Sequence, residues 1–223
     1  MQLVVLAPPE TETEFRQKFT DSLSFTWVTD YESLRPLLDT TTIVFDFLLA
    51  EQPEQLTHYA GRTGLVVFCE ATKTQLAALT YREQTLKCHL FGFNGLPTFL
   101  NRSVLEVSLY HAADILVLEK TCALLNTEFL VVADRVGMVT PRVVAMIINE
   151  ACFTLLEKTA TQPDIDLSMQ LGTNYPFGPF DWANRIGIKH VYELLAALYT
   201  DTKDERYKIC PLLKTKYLRR ENF

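Results

Sequence analysis

Glycine is scarce in this chain. Its 223 residues hold eight, and none falls among the first 60. A Gly-x-Gly-x-x-Gly turn is therefore excluded from the first strand–helix junction, and no Walker loop or Gly-x-Ser-x-Gly elbow occurs anywhere. Histidine is scarce too. His58, His89, His111 and His190 show no metal-ligand spacing. The five cysteines (Cys69, Cys88, Cys122, Cys152 and Cys210) are odd in number and form no Cys-x-x-Cys pair. That argues against a disulfide framework and predicts a reduced, cytoplasmic protein. Basic residues are in deficit, 21 against 27 acidic, for a net charge of −6. The deficit lies in residues 1–133, with 9 basic and 16 acidic; residues 134–223 carry 12 and 11. Without clustered Lys and Arg, no nucleic-acid surface is expected. Long apolar runs are missing as well. The longest near the middle, "VVAMII" (143–148), is far too short for a bilayer. The start, "MQLVVLAPPE", has no basic leader, so neither a membrane span nor a signal peptide is expected.

What is present is an alternation. "QLVVLA" (2–7), "SFTWVT" (24–29), "TIVFDFL" (42–48) and "LVVFCE" (65–70) read as buried strands. "KCHLFGF" (87–93), "VLEVSLY" (104–110) and "FLVVAD" (129–134) continue the series. "ETEFRQKF" (12–19), "YESLRPLL" (31–38) and "ADILVLEKTCALLN" (113–126) have helical spacing. Val-, Ile- and Phe-rich strands separated by helices predict a mostly parallel, doubly wound sheet covered on both faces.

After about residue 136 the strand signal stops. "TPRVVAMIINEACFTLLEK" (140–158) reads as a long helix, apolar almost all round, which demands burial on most sides. "PDIDLSMQL" (163–171) is a second helix, with Asp164 and Asp166 where the dipole favours negative charge. Gly172 is its expected left-handed cap, Pro179 opens a third helix, and Gly187 closes that one. "IKHVYELLAALYT" (188–200) is a fourth. The dense stretch "GTNYPFGPFDW" (172–182) therefore reads as an architectural turn, with Phe177, Phe180 and Trp182 packed toward helix 140–158. The fold expected is α/β plus all-α: a domain at 1–134 and a helical one at 135–223.

"DIDLSMQLGTNYPFGPFDWANRIGI", "NEA" (149–151) and "ERYKICPLL" (205–213) resemble, in that order, the helical C-terminal domain of 3-hydroxyacyl-CoA dehydrogenases. The likeness covers roughly 134–216. It implies a shortened Rossmann-like domain ahead of a helical dimerisation and substrate domain. It implies NAD as cofactor, an acyl-CoA-type ligand, and a homodimer built largely from residues 137–200. The family chemistry is the NAD-linked interconversion of 3-hydroxyacyl-CoA and 3-ketoacyl-CoA.

The family's motifs land unevenly on the first half. At the position of its glycine loop stands "LAPPETETEF", with Pro8 and Pro9 lacking backbone donors and Glu10, Glu12 and Glu14 adding negative charge. Asp30 ends the second strand where the ribose-binding acid belongs; by residue type it reads as a helix N-cap before Tyr31. The family pairs a His, placed just before Phe-Asn, with a Glu on the next strand. Phe93-Asn94 and Leu105-Glu106-Val107 supply those landmarks, and counting back puts Phe91 in the His position. His89 lies two residues earlier on the same strand face, so His89 and Glu106 are the candidate catalytic pair. The residue before Arg142, where the family carries an Asn, is Pro141. Lys214, Lys216, Arg219 and Arg220 form a mildly basic tail that could attract CoA phosphates, or simply be solvated. Two classes follow: a dehydrogenase, or a non-catalytic relative that binds acyl-CoA or serves as an association module after losing NAD.

Overall fold

A computed structural model describes residues 2–19, 23–81 and 85–223. The chain forms two compact units, Met1–Met138 and Val139–Phe223. The sequence places the break after residue 134; the contacts place it after Met138.

The first unit is a seven-stranded sheet. Its strands are β1 (Leu3–Leu6), β2 (Phe25–Val28), β3 (Ile43–Asp46), β4 (Val66–Glu70), β5 (His89–Phe93), β6 (Val104–Leu109) and β7 (Glu128–Val132). Their order is β2-β1-β3-β4-β5-β6-β7. Every neighbouring pair is parallel except β5 and β6, which run antiparallel. The doubly wound expectation holds, with one reversed junction.

The helices between the strands are short. They are α1 (Glu12–Lys18), α2 (Tyr31–Leu34), α3 (Thr57–Ala60), α4 (Leu76–Leu79) and α5 (Ile115–Leu124). They hold because both sheet faces are apolar. One face buries Val4, Leu6, Val44, Val67, Cys69 and Leu90. The other is aromatic. Phe45 stacks on Phe68 at 4.6 Å between ring centres, and Phe68 meets Phe91 at 5.4 Å. Phe15 of α1 sits edge-on to Phe45 at 5.2 Å. Such rings bury large apolar areas and add a preference for tilted and offset contacts.

The second unit is helical: α6 (Thr140–Leu156), α7 (Gln162–Thr173), α8 (Pro179–Ile186), α9 (Ile188–Thr202) and α10 (Pro211–Arg219). Two side chains hold it together in ways the sequence motifs hide. Asp166 reaches from α7 to the start of α8, where its carboxylate accepts from Phe180 N at 2.8 Å and Asp181 N at 3.2 Å. That satisfies two of the N–H groups a helix start leaves open. Gly178 lies against it so closely that a Cβ there would stand 2.4 Å from Asp166 Cβ. Asn149 of α6 is buried and acts as a clip. Its Nδ2 donates to Lys208 O at 2.9 Å, and its Oδ1 accepts from Cys210 N at 2.8 Å. The "DID…GP" and "NEA…ERYKIC" patterns are thus pairs of mutually dependent contacts.

One expectation needs correction. Gly172 is not the left-handed cap: α7 runs through it to Thr173, and Asn174 takes φ 55° and ψ 35° instead. Asn tolerates that conformation because its short polar side chain bonds locally. Within one chain α6 buries Pro141, Val144, Ala145, Ile148 and Cys152, while Val143, Glu150 and Leu156 face outward. Pro179 opens α8, Phe180 and Trp182 are buried, and α8 packs on α6, whereas Phe177 is half-buried against Trp182, with ring centres 6.0 Å apart.

Candidate functional site

In an open parallel sheet the binding crevice lies outside the carboxyl ends of the strands, where the strand order reverses. Here that point flanks β1, which lies between β2 and β3. β1 ends at Leu6, and the chain continues through Ala7, Pro8 and Pro9 into a tight turn at Pro9–Thr11 and then α1. The two prolines have no N–H to offer a phosphate. Glu10 lies in the first turn of that junction, and Glu12 and Glu14 in the first turn of α1. Glu14 is engaged elsewhere. Its carboxylate accepts from Thr98 N at 3.0 Å and Asn101 N at 3.3 Å, tying α1 to the segment after β5. Donors are removed and negative charge is added at the spot where a pyrophosphate needs the opposite. The residues of this loop do not fit a dinucleotide.

Asp30 caps α2. Its Oδ1 accepts from Ser33 N at 2.8 Å. That bond and the Ser33 hydroxyl hold its carboxyl below the ordinary Asp range. The side chain is exposed and occupied as a cap, the local role its residue type suggested.

Next along the carboxyl edge is Asp46, which sequence reading passed over. It is fully buried at the end of β3 and takes four hydrogen bonds. Tyr31 Oη donates at 2.9 Å, Tyr59 Oη at 2.7 Å, Leu48 N at 2.8 Å and Leu49 N at 2.9 Å. Burial pushes its pKa up to about 6, against the opposing pull of those four donors. The available signal was an Asp closing an otherwise apolar strand, "TIVFDF". Glu70 ends β4 in the same way. Its Oε1 accepts from Thr72 N at 3.0 Å and from the Thr72 hydroxyl, and burial raises its pKa.

The candidate catalytic pair comes out separated. Glu106 is buried on β6 opposite Asn94, whose Nδ2 approaches Glu106 Oε2 at 3.5 Å. His89 opens β5 at the far end, with its Nδ1 2.9 Å from Asp114 Oδ1. Residues 89 and 94 are five apart on an extended strand, about 16 Å. The structure therefore does not bring His89 and Glu106 together. Phe91, between them in sequence, is fully buried in the aromatic layer and in register with Phe68 and Leu109. No proton carrier stands there.

In the helical unit, Pro141 occupies the first turn of α6. Arg142 beside it donates from Nη1 to Tyr207 Oη at 3.2 Å. Lys216 of the basic tail is held by Asn222 O at 2.8 Å and Glu221 at 3.5 Å. An open groove of about 360 Å³ runs between α6 and α7, with Ile147, Ala151, Ile165 and Met169 in its lining and Glu150 and Asp164 among its polar residues.

Residues 137–222 match the model of the 3-hydroxyacyl-CoA dehydrogenase C-terminal domain. The probable 3-hydroxybutyryl-CoA dehydrogenase of Bacillus subtilis is 33% identical over 149 residues, 66% of this chain. Residues 137–222 belong to the C-terminal domain of the 3-hydroxyacyl-CoA dehydrogenase family. The 3-hydroxyadipyl-CoA dehydrogenase of Escherichia coli K12 is 44% identical over 87 residues, 39% of this chain. The matched stretch is 50% of the Bacillus protein and 18% of the Escherichia protein, so the chain spans at most half the length of either dehydrogenase. The solved (S)-3-hydroxybutyryl-CoA dehydrogenase of Ralstonia eutropha superposes with a TM-score of 0.75 over 98% of this chain and 94% of that one. At 17% identity that likeness speaks to fold alone. The family's helical motifs are those whose contacts are described above, Asp166 with α8 and Asn149 with the 208–210 segment.

Proposed function

We propose that this chain is a non-oxidising member of the 3-hydroxyacyl-CoA dehydrogenase family that serves as an association module. The loop after β1 carries the reading: Pro8 and Pro9 lack backbone donors and Glu10 adds negative charge where NAD would place its pyrophosphate. The separation of His89 from Glu106 and the burial of Phe91 support it. The helical unit supplies the association surface. Val143 and Leu156 of α6 and Leu167 and Leu171 of α7 are exposed, and apolar surface of that kind favours a partner. We assign it to pairing of two copies through residues 137–200. Acyl-CoA remains the ligand class to test, because the relatives' names specify hydroxyacyl-CoA substrates. The five free, buried thiols suit a reducing cytoplasm.

The second reading is the family's NAD-linked oxidation of 3-hydroxyacyl-CoA. It is favoured by the 149-residue likeness to the Bacillus relative and by buried Glu106 beside Asn94. One experiment separates the two. NADH is titrated while its fluorescence is followed, and acetoacetyl-CoA reduction is assayed in the same samples. No NADH binding up to millimolar concentration and no turnover are expected. Micromolar NADH affinity with turnover would establish the second reading instead.

A further inference from the structure

Residues 95–103, which join β5 to β6, are gripped from outside by one face of α1. Glu14 accepts from Thr98 N at 3.0 Å and from Asn101 N at 3.3 Å. One turn further on, Gln17 Oε1 accepts from Asn101 Nδ2 at 3.2 Å, and Lys18 Nζ donates to Arg102 O and, at 3.0 Å, to Ser103 O. Glu12 and Arg16 pair with each other on the opposite face of the helix. The gripped segment is strained. Thr98 stands at φ 74°, where Cβ crowds the carbonyl and a β-branched residue is an outlier. Strain of this kind persists only where the surroundings hold it, and it gathers at clamps and switch regions. Beneath, the segment is a plug. Leu96, Phe99 and Leu100 are buried, and Leu100 shares an apolar cluster with Phe15 of α1 and Cys122 of α5. Burial raises the pKa of the Cys122 thiol, and Lys18 is close enough for its charge to oppose that rise.

We propose that residues 96–103 form a lid over Cys122, strained when shut and held shut by the Glu14 carboxylate. The strain at Thr98 favours release; two hydrogen bonds to a charged acceptor oppose it. The root of the lid does not follow. A Cβ on Gly95 would stand 2.8 Å from Phe47 and 2.9 Å from Glu70 and Phe93, so the backbone there is packed hard against its neighbours. Opening is therefore local: residues 96–103 lift from α1 while β5 and β6 stay paired. Release draws Leu100 out of the cluster and gives water access to Cys122, which is 1% exposed with the lid shut. The device lies within the first unit and is independent of the pairing of two copies and of any nucleotide.

The test uses the whole chain and two readouts, both by mass spectrometry: hydrogen exchange of the 96–103 amides, and labelling of Cys122 by N-ethylmaleimide. Glu14→Ala removes both bonds to the lid. It is expected to speed exchange in 96–103 and labelling of Cys122 by about tenfold or more. The other four cysteines, all buried, are expected to keep their native rates. Glu12→Ala, the same change on the opposite face of α1, is expected to leave both readouts as they are. Thr98→Gly relieves the strain and is expected to slow both by roughly threefold. If Glu14→Ala misfolds, Glu14→Gln, which keeps a neutral acceptor, is read in its place and is expected to speed both by about threefold. In the unaltered chain, low urea is expected to leave exchange in 96–103 unchanged while speeding it in β5, the mark of a local opening. Native rates in the folded Glu14 variant, equal acceleration by Glu12→Ala, or faster opening of Thr98→Gly would each overturn the proposal. So would Cys122 labelling that does not follow the 96–103 exchange, or a urea sensitivity there equal to that of β5.

Discussion

Gly172 and Gly178 lie six residues apart in one motif, and the structure assigns their alanine variants opposite signs. At Gly178 an added Cβ would stand 2.4 Å from Asp166 Cβ and Cγ and 2.5 Å from its Cα. The last is backbone, so a rotamer change cannot relieve the overlap. α7 and α8 must separate, and overpacking of this sort costs about 1–3 kcal/mol. Separation also lengthens the bonds from Phe180 N and Asp181 N to the Asp166 carboxylate. Hydrogen bonds to a charged group are worth about 1.5–3 kcal/mol each when lost. A total of roughly 2.5–6 kcal/mol follows for Gly178→Ala if half of the bonding survives. In a unit of this size 1 kcal/mol moves the melting temperature by about 4–8 °C, so even the low end of that range predicts a fall of roughly 10–20 °C. At Gly172 nothing lies within 4 Å of the added atom, and the residue is helical. There alanine gains about 0.5–1 kcal/mol, because glycine is the poorer helix former. Differential scanning calorimetry of the two variants is the assay. A Gly172→Ala protein that melts well below the native one would refute the reasoning, as would a Gly178→Ala protein that melts with it.

Two other outcomes can be measured alongside. Asp46 holds its proton to about pH 6 when folded, against 3.8 for the ordinary group, so between those values the folded chain binds more protons than the unfolded one. Stability from this group therefore falls as pH rises from about 4 to about 6, by roughly 3 kcal/mol at 1.36 kcal/mol per pKa unit, and is flat above. Asp46→Asn should flatten part of that slope in urea titrations; Glu70, raised in the same direction, keeps the rest, and an unchanged slope would contradict the assignment. For the helical pairing, Leu167→Lys should lower the mass measured by light scattering at micromolar concentration, and an unaltered mass would remove α7 from that interface.

Much of the fold was legible because its signals are local. Short Val- and Phe-rich runs bounded by polar residues marked all seven strands, and Pro179 marked a helix start. Contacts between distant residues were not legible. Asp166 looks like a dipole partner of its own helix, yet its carboxylate serves the next one. Asn149 is one polar letter in an apolar helix until the 208–210 segment folds back onto it. Asp46 was invisible for a related reason: its partners Tyr31 and Tyr59 arrive from two different helices. His89 failed as a partner for Glu106 because face alternation says which side a strand residue points to, and nothing about which end of the paired strands it occupies.

Phe91 has a consequence for what the sheet tolerates. It is one rung of a layer in which Phe45, Phe68 and Phe91 touch in sequence across three strands. A ring in such a layer is shaped by its neighbours, and they by it. A histidine at that one position would set an imidazole among phenyl groups and loosen the contact with Phe68. A change at residue 91 is therefore felt across three strands, and the stability of the sheet depends on a ring standing there.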